Sequence, residues 1–388
     1  GTTTNVYVPT KVRKVNNIMD ISAGSNHFVL LDSNGTVWAT GKNNYGQLGL
    51  GNSEVTTYAT KVKDETGKGI LKNVIDISAT MYSSHIIKED GTLWSWGSNS
   101  NGQLGTGSKA NESVHSLPVK SNISDVSKIA TSAYSILVLK QDGTVWSWGW
   151  NAYGQVGIGT TDNVISPSQC KFDSTTYITN IIDIGTSGGT HYVLDNNHKV
   201  YACGGNALGE IGDSTTTNKS YYVEVKSKYG AGLPNTIVKL SKSMARTNSS
   251  TDCSPEHFIR ADGCLLGVGK NTSYQLFGEM TTNLKSAKEM NTSYMEITDR
   301  LNYIKIGEAK KLEINVVENF NMYAKVPKIG SLTWSSSNEA IAKVDKNGNV
   351  TAISEGQTTI TAVDSKNGYI ASSVVYVIRL KIQLQFHR

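Results

Sequence analysis

Residues 94–105 read Trp-Ser-Trp-Gly-Ser-Asn-Ser-Asn-Gly-Gln-Leu-Gly, and related stretches recur along the chain. Residues 39–49 read Ala-Thr-Gly-Lys-Asn-Asn-Tyr-Gly-Gln-Leu-Gly, residues 146–157 are a third copy, and 202–212 and 267–278 are more divergent copies. The first glycines of the five copies are separated by 56, 52, 55 and 65 residues: Gly41, Gly97, Gly149, Gly204 and Gly269. A period of about 50 to 65 residues is too long for a solenoid coil and suits a four-stranded propeller blade.

Each repeat contains the pattern of three strands before its glycine-rich loop. Apolar and polar residues alternate in 74–79, Val-Ile-Asp-Ile-Ser-Ala, as in a strand with one buried face. An apolar run such as 136–139 ends in Asp142-Gly143, and Asp-Gly supplies the positive φ that tight hairpins need. The next strand brings alternate tryptophans to one face, so we expect mostly buried side chains between blades for Trp94, Trp96, Trp146 and Trp148.

These motifs resemble the regulator of chromosome condensation repeat, whose units carry an Asp-Gly turn, a Trp-Gly-x-Asn strand end and a Gly-Gln-Leu-Gly loop. The resemblance implies an all-β propeller, usually of seven blades, of which five are visible here. Cys203 stands where the third repeat has Trp148, and the fifth repeat has Leu266 and Val268 in place of the tryptophan pair. The fifth repeat also carries an insertion at 244–255, so we expect the later blades to pack less regularly.

A second domain is predicted from residue 298. Residues 332–362 contain Trp-Ser-Ser-Ser-Asn, Ala-Lys-Val-Asp, Gly-Asn-Val-Thr-Ala and Thr-Ile-Thr-Ala in short alternating strands. This wording resembles the bacterial immunoglobulin-like group 2 domain, a β-sandwich that serves as a stalk or spacer on bacterial surfaces. We therefore predict a propeller at 1–297, an immunoglobulin-like domain at 298–380 and a tail or linker at 381–388. The expected core of the second domain is Trp334, Ile341, Val344, Val350, Ile360 and Val363.

The beginning of the chain leaves two interpretations open. Residues 1–6 resemble 159–164, so the chain begins in the middle of a repeat. Either earlier blades precede it in a longer protein, or this half-repeat closes the ring by pairing near the fifth blade, which would remove exposed sheet edges.

Composition excludes several classes of function. The net charge is +5 over 388 residues, but Lys and Arg are scattered, which argues against a nucleic-acid surface. The chain lacks an apolar run of the ~18 residues that a membrane helix needs, and it lacks a signal peptide, so a mature or trimmed form is expected. We expect neither a cofactor nor a metal, since the spacing of the four cysteines fits no zinc motif and the Asp-Gly turns lack the further acidic residues of a calcium loop.

Cysteines and histidines are interpreted as structural. A disulfide between Cys253 and Cys264 is one reading, but small buried thiols at repeat positions, including Cys170 and Cys203, are favoured. His27 and His191 are assigned to one repeat position, with His85 and His257 two residues further on. A residue type tied to a repeat position serves blade structure, and neither Gly-x-Ser-x-Gly nor His-Glu-x-x-His occurs, so no catalytic residue is expected.

Two sets of loop residues are candidates for recognition, and we expect them on opposite faces of the propeller. One set, before the second strand of a blade, is Asn26, Tyr82 and Tyr134; the other, in the glycine-rich loops, is Tyr45, Trp150, Tyr153 and Tyr274. Tyr and Trp give large contact area at low entropic cost. Wedging between blades is an equal alternative for Tyr45 and Tyr153, so the first set is favoured.

The sequence therefore predicts a non-enzymatic binding or adhesion protein, secreted or on a bacterial cell surface, that presents a propeller loop face to a protein or glycan. We expect a monomer outside the cell. The resemblance also implies an alternative, a secreted enzyme inhibitor or regulator, because its relatives include a nucleotide exchange factor for a small GTPase and a secreted β-lactamase inhibitor. A hydrolase with its site in the central channel is disfavoured by the missing catalytic motifs.

Overall fold

The computed structural model describes residues 12, 15–108, 114–227, 233, 237–243, 256–261, 265–272, 276, 283–289, 294–297, 301–317, 331–364 and 369–378. All regular structure in these residues is β-strand. The chain divides into two compact units, Gly1–Met290 and Asn291–Arg388. The predicted boundary at residue 298 stays a prediction.

Four sheets of the first unit each contain four consecutive antiparallel strands. The first two are β1 (Ile18–Ala23), β2 (His27–Asp32), β3 (Val37–Gly41) and β4 (Thr56–Lys61), then β5 (Val74–Ala79), β6 (Ser83–Lys88), β7 (Leu93–Ser98) and β8 (Val114–Lys120). The next two are β9 (Val126–Thr131), β10 (Ser135–Lys140), β11 (Val145–Gly149) and β12 (Val164–Gln169), then β13 (Ile181–Ser187), β14 (Thr190–Asp195), β15 (Val200–Gly204) and β16 (Lys219–Glu224).

A fifth sheet departs from strict chain order. It contains β17 (Ile237–Leu240), skips the two-residue β18 (Lys242–Ser243), and continues with β19 (Glu256–Arg260), β20 (Leu265–Gly269) and β21 (Leu284–Glu289). β18 instead pairs in parallel with β13 of the fourth sheet. Five successive four-stranded sheets are typical of a propeller, so the predicted all-β repeat architecture is confirmed. The first strands of neighbouring sheets contact one another, so we describe them as the inner strands of the blades.

One hydrogen bond recurs between neighbouring blades. The indole Nε1 of Trp96 donates to the carbonyl of Gln47 in the preceding blade at 2.9 Å, and Trp148 donates to Gln103 at 3.0 Å. Both indoles are fully buried, as expected. In the fourth blade the Cys203 thiol donates to the Gln155 carbonyl at 3.3 Å.

Loss of the tryptophan at Cys203 is compensated by a tyrosine from another strand. The buried ring of Tyr222 on β16 lies against Gly157, where the second and third blades place the indoles of Trp96 and Trp148 against the equivalent glycines. The fourth blade therefore fills the same space with a different residue.

Trp94 and Trp146 differ from the expectation that all four tryptophans are mostly buried. Both are only half-buried, and the ammonium groups of Lys88 and Lys140 lie 4.2 and 5.9 Å from their ring centroids. Successive side chains of a strand point to opposite faces, but Trp94 and Trp96 are two residues apart and share one face. Trp96 and Trp148 are the deeper members of the two pairs, and their indoles bond to the preceding blade.

The first blade leaves one sheet face open among the described residues. Ile21 is 59% exposed and Phe28 50% exposed, although the residues equivalent to Ile21 in the next two blades, Ile77 and Ile129, are 5% and 0% exposed. Residues 1–6, which carried the two interpretations of the chain start, lie outside the described residues, as does the insertion at 244–255.

The second unit contains three sheets that share one apolar core. β22 (Tyr294–Ile297), β23 (Leu301–Lys305), β24 (Ala309–Lys311), β25 (Ile314–Val317), β26 (Leu332–Ser336), β27 (Ala342–Val344), β28 (Asn349–Ala352), β29 (Gly356–Asp364) and β30 (Tyr369–Ile378) follow in chain order. The sheets β23-β30-β29-β26 and β24-β28-β27 both contribute to the core, as in an immunoglobulin-like sandwich, and β22 pairs with β25.

Five of the six predicted core residues of the second unit lie in or against this core: Trp334, Ile341, Val344, Val350 and Ile360. The prediction for Val363 is wrong. Burial alternates along β29, so Ile360 and Ala362 are buried and Val363 points away from the core.

Candidate binding face

The two loop types that carry the candidate residues are joined inside each blade. The backbone carbonyls of Asn26, Tyr82 and Tyr134 accept hydrogen bonds of 2.8, 2.9 and 3.0 Å from the amides of Lys42, Ser98 and Trp150. Each amide follows the first glycine of the repeated motif. The loop before the second strand and the loop after the third strand therefore lie side by side.

The repeated glycine is required by this close approach. Gly41, Gly97 and Gly149 have φ of +113°, +103° and +99°, in the region that favours glycine. A Cβ at any of them would collide with the loop carbonyl, as Gly97 shows, where it would lie 2.5 Å from the oxygen of Tyr82. These three glycines therefore lie at tight bends that a residue with a side chain would not fit.

The expectation that the two residue sets lie on opposite faces is wrong. In an antiparallel four-stranded sheet the loop between strands one and two and the loop between strands three and four leave from the same end. We call this end of the first four blades the aromatic face; it consists of residues 24–26, 42–55, 80–82, 99–108, 132–134, 150–163, 188–189 and 205–218. The opposite end, with the Asp-Gly turns and the connections between blades, is the turn face.

Three tyrosines from three blades form an aromatic row on the aromatic face. The ring of Tyr45 lies 4.7 Å from that of Tyr82, which lies 6.0 Å from that of Tyr134, measured between centroids. Tyr45 is 41% exposed, and Tyr82 and Tyr134 are half-buried. The row therefore combines ring-on-ring packing with accessible ring surface.

A second aromatic pair continues the same face in the third blade. Trp150 and Tyr153 meet edge to face with centroids 5.0 Å apart, and both are half-buried. Tyr153 also covers Gly189 and Gly205 of the fourth blade, where an added Cβ would lie 2.9 and 3.3 Å from its Cδ2. Both Tyr45 and Tyr153 thus reach the next blade, as the wedge interpretation predicted, while part of each ring stays accessible.

Two candidate residues are not part of these aromatic groups. Asn26 is exposed, and its side-chain oxygen lies 3.3 Å from the hydroxyl of Ser25. Tyr274 lies outside the described residues. Sequence reasoning missed Asn101 and Asn163, whose side-chain amides bond across two blades at 3.1 Å. Nothing in their local sequence signals this contact, because 62 residues separate them.

Charge is distributed unevenly between the two ends of the blades. On the described part of the aromatic face only Lys42, Glu54 and Asp162 are both charged and exposed, since Glu210 and Asp213 are buried. The charged residues of the turn-face loops are Lys63, Asp64, Glu65, Lys68, Lys72, Glu89, Asp90, Asp125, Asp142, Lys171, Asp173, Lys199 and Lys226. The aromatic face is therefore nearly uncharged.

Three histidines form buried hydrogen bonds with serines below this face. His27 Nε2 lies 3.0 Å from Ser84 Oγ in the next blade, and His191 Nε2 lies 2.9 Å from Ser135 Oγ in the preceding one. His85 bonds Ser83 at 2.9 Å and Ser95 at 2.8 Å within its own blade. All three imidazoles are completely buried, and the bonds of His27 and His191 link strands of neighbouring blades.

Burial also determines the protonation of these imidazoles. It lowers the pKa of His27 to about 4 and that of His191 to about 3. The pKa of His85 falls to about 3 through burial and the nearby His27. The histidines are thus neutral hydrogen-bonding groups at neutral pH.

The sequence alignment of these histidines needs one correction. His27 pairs with Gly41 across β2 and β3, and in the fourth blade the residue paired with the equivalent Gly204 is Thr190. His191 is therefore one position beyond His27, and Thr190 occupies the position of His27 in the fourth blade.

The described cysteines are buried, and the described acidic residues form no cluster that could hold a metal ion. Cys170 and Cys203 are buried thiols, as expected, and burial raises the pKa of both, while Cys253 and Cys264 lie outside the described residues. Among the described residues no group of three or more His, Cys, Asp or Glu is placed to hold a metal ion. In the same residues no helix has the length and apolar character to cross a bilayer.

Comparisons with known proteins identify both units. A family model described as RCC1-like domain matches residues 1–310, and one described as bacterial Ig-like domain (group 2) matches residues 317–374. The ultraviolet-B receptor UVR8 of Arabidopsis thaliana is 25% identical over 230 residues, which cover 58% of this chain and 50% of UVR8. The chain thus spans about half the length of that relative.

Two solved structures share the fold. Human WBSCR16 has a TM-score of 0.61 at 18% identity, with 73% of this chain and 68% of that chain covered. Yeast RCC1 (Prp20), in its crystal structure with Kap60, has a TM-score of 0.54 at 16% identity, with 92% and 69% covered. At these identities the likeness shows the fold alone.

Proposed function

The chain belongs to the RCC1-like domain family and carries a bacterial Ig-like domain (group 2), and from this premise we propose that it is a non-enzymatic binding protein. The aromatic face of the propeller contacts a protein or glycan partner. The Ig-like domain is a spacer, and the protein acts outside a bacterial cell or on its surface.

One observation carries the proposal: the aromatic row of Tyr45, Tyr82 and Tyr134 on a nearly uncharged face. Tyrosine side chains offer large rigid contact areas and are enriched among the residues that dominate binding energy. Loops on a rigid scaffold are where recognition residues tend to lie. Yeast RCC1 (Prp20), which shares this fold, was solved in a complex with another protein, Kap60.

The chemistry of the propeller supports binding in preference to catalysis. Its serine-histidine pairs are completely buried and join residues of the strands. A general base must lie within hydrogen-bond reach of a substrate proton, which these imidazoles cannot achieve from beneath the loops.

The test uses the whole chain against immobilised mucin, fibronectin and collagen, with affinity read by biolayer interferometry. We expect at least one of them to bind, and the double variant Tyr82→Ala and Tyr134→Ala to bind it at least about 2 kcal/mol more weakly. Tyr177→Ala is the matched control, since Tyr177 is a 49% exposed tyrosine in a turn-face loop. Equal affinity of the double variant and the wild type for a bound probe would overturn the assignment of the aromatic face.

A further inference from the structure

We infer that the aromatic face binds an uncharged polysaccharide that lies along the aromatic row. This inference rests on the proposed function, because it names the partner of the same face. Three properties of the face support it: its charge, the arrangement of its rings and the chemistry of its polar groups.

The charge of the face favours a neutral ligand. Only one exposed cation, Lys42, lies in the described loops of this face, and it is accompanied by two exposed carboxylates. An anionic polymer is normally held by Lys or Arg, and a protein partner is commonly steered and oriented by complementary charges. The charged side chains of the described loops lie mainly on the turn face. A neutral polymer is thus the macromolecule that forgoes no charge–charge attraction when it binds the aromatic face.

The arrangement of the rings favours an extended ligand. Tyr45, Tyr82 and Tyr134 come from three successive blades, and their rings follow one another at 4.7 and 6.0 Å. The carbonyl of Tyr134 accepts a hydrogen bond of 3.0 Å from the amide of Trp150. The aromatic residues of the third blade therefore continue from Tyr134 toward Tyr153. Aromatic surface is therefore offered as a line that crosses blade boundaries. A polymer of repeating rings can use such a line at several successive positions.

The polar groups beside the rings match sugar hydroxyl groups. Asn44 and Ser100 are exposed in the loops of the same face, and Asn101 and Asn163 form the amide pair across two blades. Amides and hydroxyls both donate and accept hydrogen bonds without a net charge, as sugar hydroxyls do. The C–H faces of a pyranose can pack on tyrosine rings while its hydroxyls meet these flanking groups.

The test is affinity electrophoresis of the whole chain in gels that contain a neutral polysaccharide. The probes are hydroxyethylcellulose, glucomannan, arabinoxylan and laminarin, and carboxymethylcellulose serves as the charged partner of the first probe. We expect at least one neutral polymer to retard the chain, with a dissociation constant that changes less than twofold between 50 and 500 mM NaCl, since screening acts on charges. Retardation by carboxymethylcellulose alone would overturn the inference.

Variants connect the retardation to the row. The double variant Tyr45→Ala and Tyr82→Ala should weaken polysaccharide binding at least tenfold, whereas Tyr45→Phe with Tyr82→Phe should stay within threefold of the wild type. Tyr177→Ala is the control on the turn face, and thermal unfolding of each variant verifies its fold. An alanine variant that folds and binds as the wild type does would overturn the inference.

The outcomes also separate this inference from the proposed function. If no polysaccharide binds but a protein probe binds through Tyr82 and Tyr134, the polysaccharide inference fails and the binding face stands. If a polysaccharide binds equally well without the rings, both the inference and the assigned face fail.

Discussion

The ring of Tyr45 in the first blade packs against the ring of Tyr82 in the second, with centroids 4.7 Å apart and planes tilted by 40°. The two residues belong to different loop types, one after the third strand and one before the second. Their contact therefore joins both loop types and two neighbouring repeats in a single surface. It makes the aromatic face a continuous feature of the propeller.

This ring contact should be measurable as a coupling energy. In a double-mutant cycle of Tyr45→Ala and Tyr82→Ala, unfolding in urea should show a coupling of about 0.5 to 1.5 kcal/mol, typical of packed aromatic pairs. A parallel cycle of Tyr45→Ala with Tyr153→Ala pairs residues from the first and third blades and should be additive. Additivity in both cycles would contradict the packing of Tyr45 on Tyr82.

The two tryptophans of β11 should differ in their contribution to stability. Trp148 is fully buried and donates to the Gln103 carbonyl, so Trp148→Ala should lower the free energy of unfolding by about 3 to 5 kcal/mol. Trp146 is half-buried under Lys140, so Trp146→Ala should cost about 1 to 2 kcal/mol. Denaturant unfolding at pH 7 measures both, and the reverse order would contradict the strand register.

Alanine substitutions at two glycines of the first blade should separate the free-energy cost of backbone conformation from that of steric collision. Gly51 has φ of +74° and the nearest atom to an added Cβ would be 3.4 Å away, so Gly51→Ala should cost about 1 to 2 kcal/mol from conformation alone. Gly41 has φ of +113° and a Cβ would collide with the Asn26 carbonyl, so Gly41→Ala should cost at least about 3 kcal/mol. Equal unfolding free energies would show that the carbonyl moves aside freely.

The buried histidines predict a loss of stability in mild acid. The pKa of His27 is about 4 in the folded protein against 6.5 as the ordinary value, so between these pH values the unfolded chain binds a proton that the folded chain does not. Stability should therefore be constant above about pH 6.5 and fall as the pH is lowered, by up to about 1.4 kcal/mol per pH unit for each such histidine.

The variant His27→Gln isolates this effect, because glutamine retains a group that can reach Ser84 but does not titrate. Urea unfolding at pH 7, 6 and 5 should show a shallower acid slope for this variant than for the wild type. His115→Gln, on β8, is the matched replacement outside the buried serine-histidine pairs. An unaltered slope in His27→Gln would contradict the buried neutral imidazole.

The second unit should fold when separated from the propeller. A fragment of residues 291–388 contains the complete described core around Val350, Ile360 and Val375. We expect dispersed amide resonances in its proton NMR spectrum and a cooperative thermal transition. Collapsed resonances in the fragment, with a folded whole chain, would show that the core needs the rest of the chain.

Much of the fold could be predicted from local sequence because each blade repeats the same chemistry. The spacing of Gly41, Gly97 and Gly149 located the blades, and the Asp-Gly turns located their hairpins. These features report backbone requirements within a few residues. The packing of Tyr222 in the space that a tryptophan fills in other blades could not be predicted in the same way. Tyr222 lies 19 residues after Cys203 on another strand, and its role depends on the volume that its side chain fills.

The candidate face was only partly predictable for a similar reason. The aromatic residues of the two loops were identified from the composition of the loops. The sequence does not show which loops leave the sheet at the same end. The strand order of the sheet decides that, and it brings Tyr45 next to Tyr82. The repeat position of His191 and the exposure of Val363 follow from strand pairing and side-chain alternation, which place Thr190 opposite Gly204 and turn Val363 away from the core.

The bond between each buried indole and the carbonyl of the preceding blade also determines how this molecule would come apart. Each such link joins only adjacent repeats, so cooperativity passes along the array from neighbour to neighbour. The link is an indole hydrogen bond, its strongest form, between the first three blades, and a weaker thiol hydrogen bond at Cys203. The fifth blade has Val268 at this position, and the side chain of Val268 has no polar group to donate. Unfolding would thus fray progressively from the fifth blade inward, and amide exchange would be slowest in the second and third.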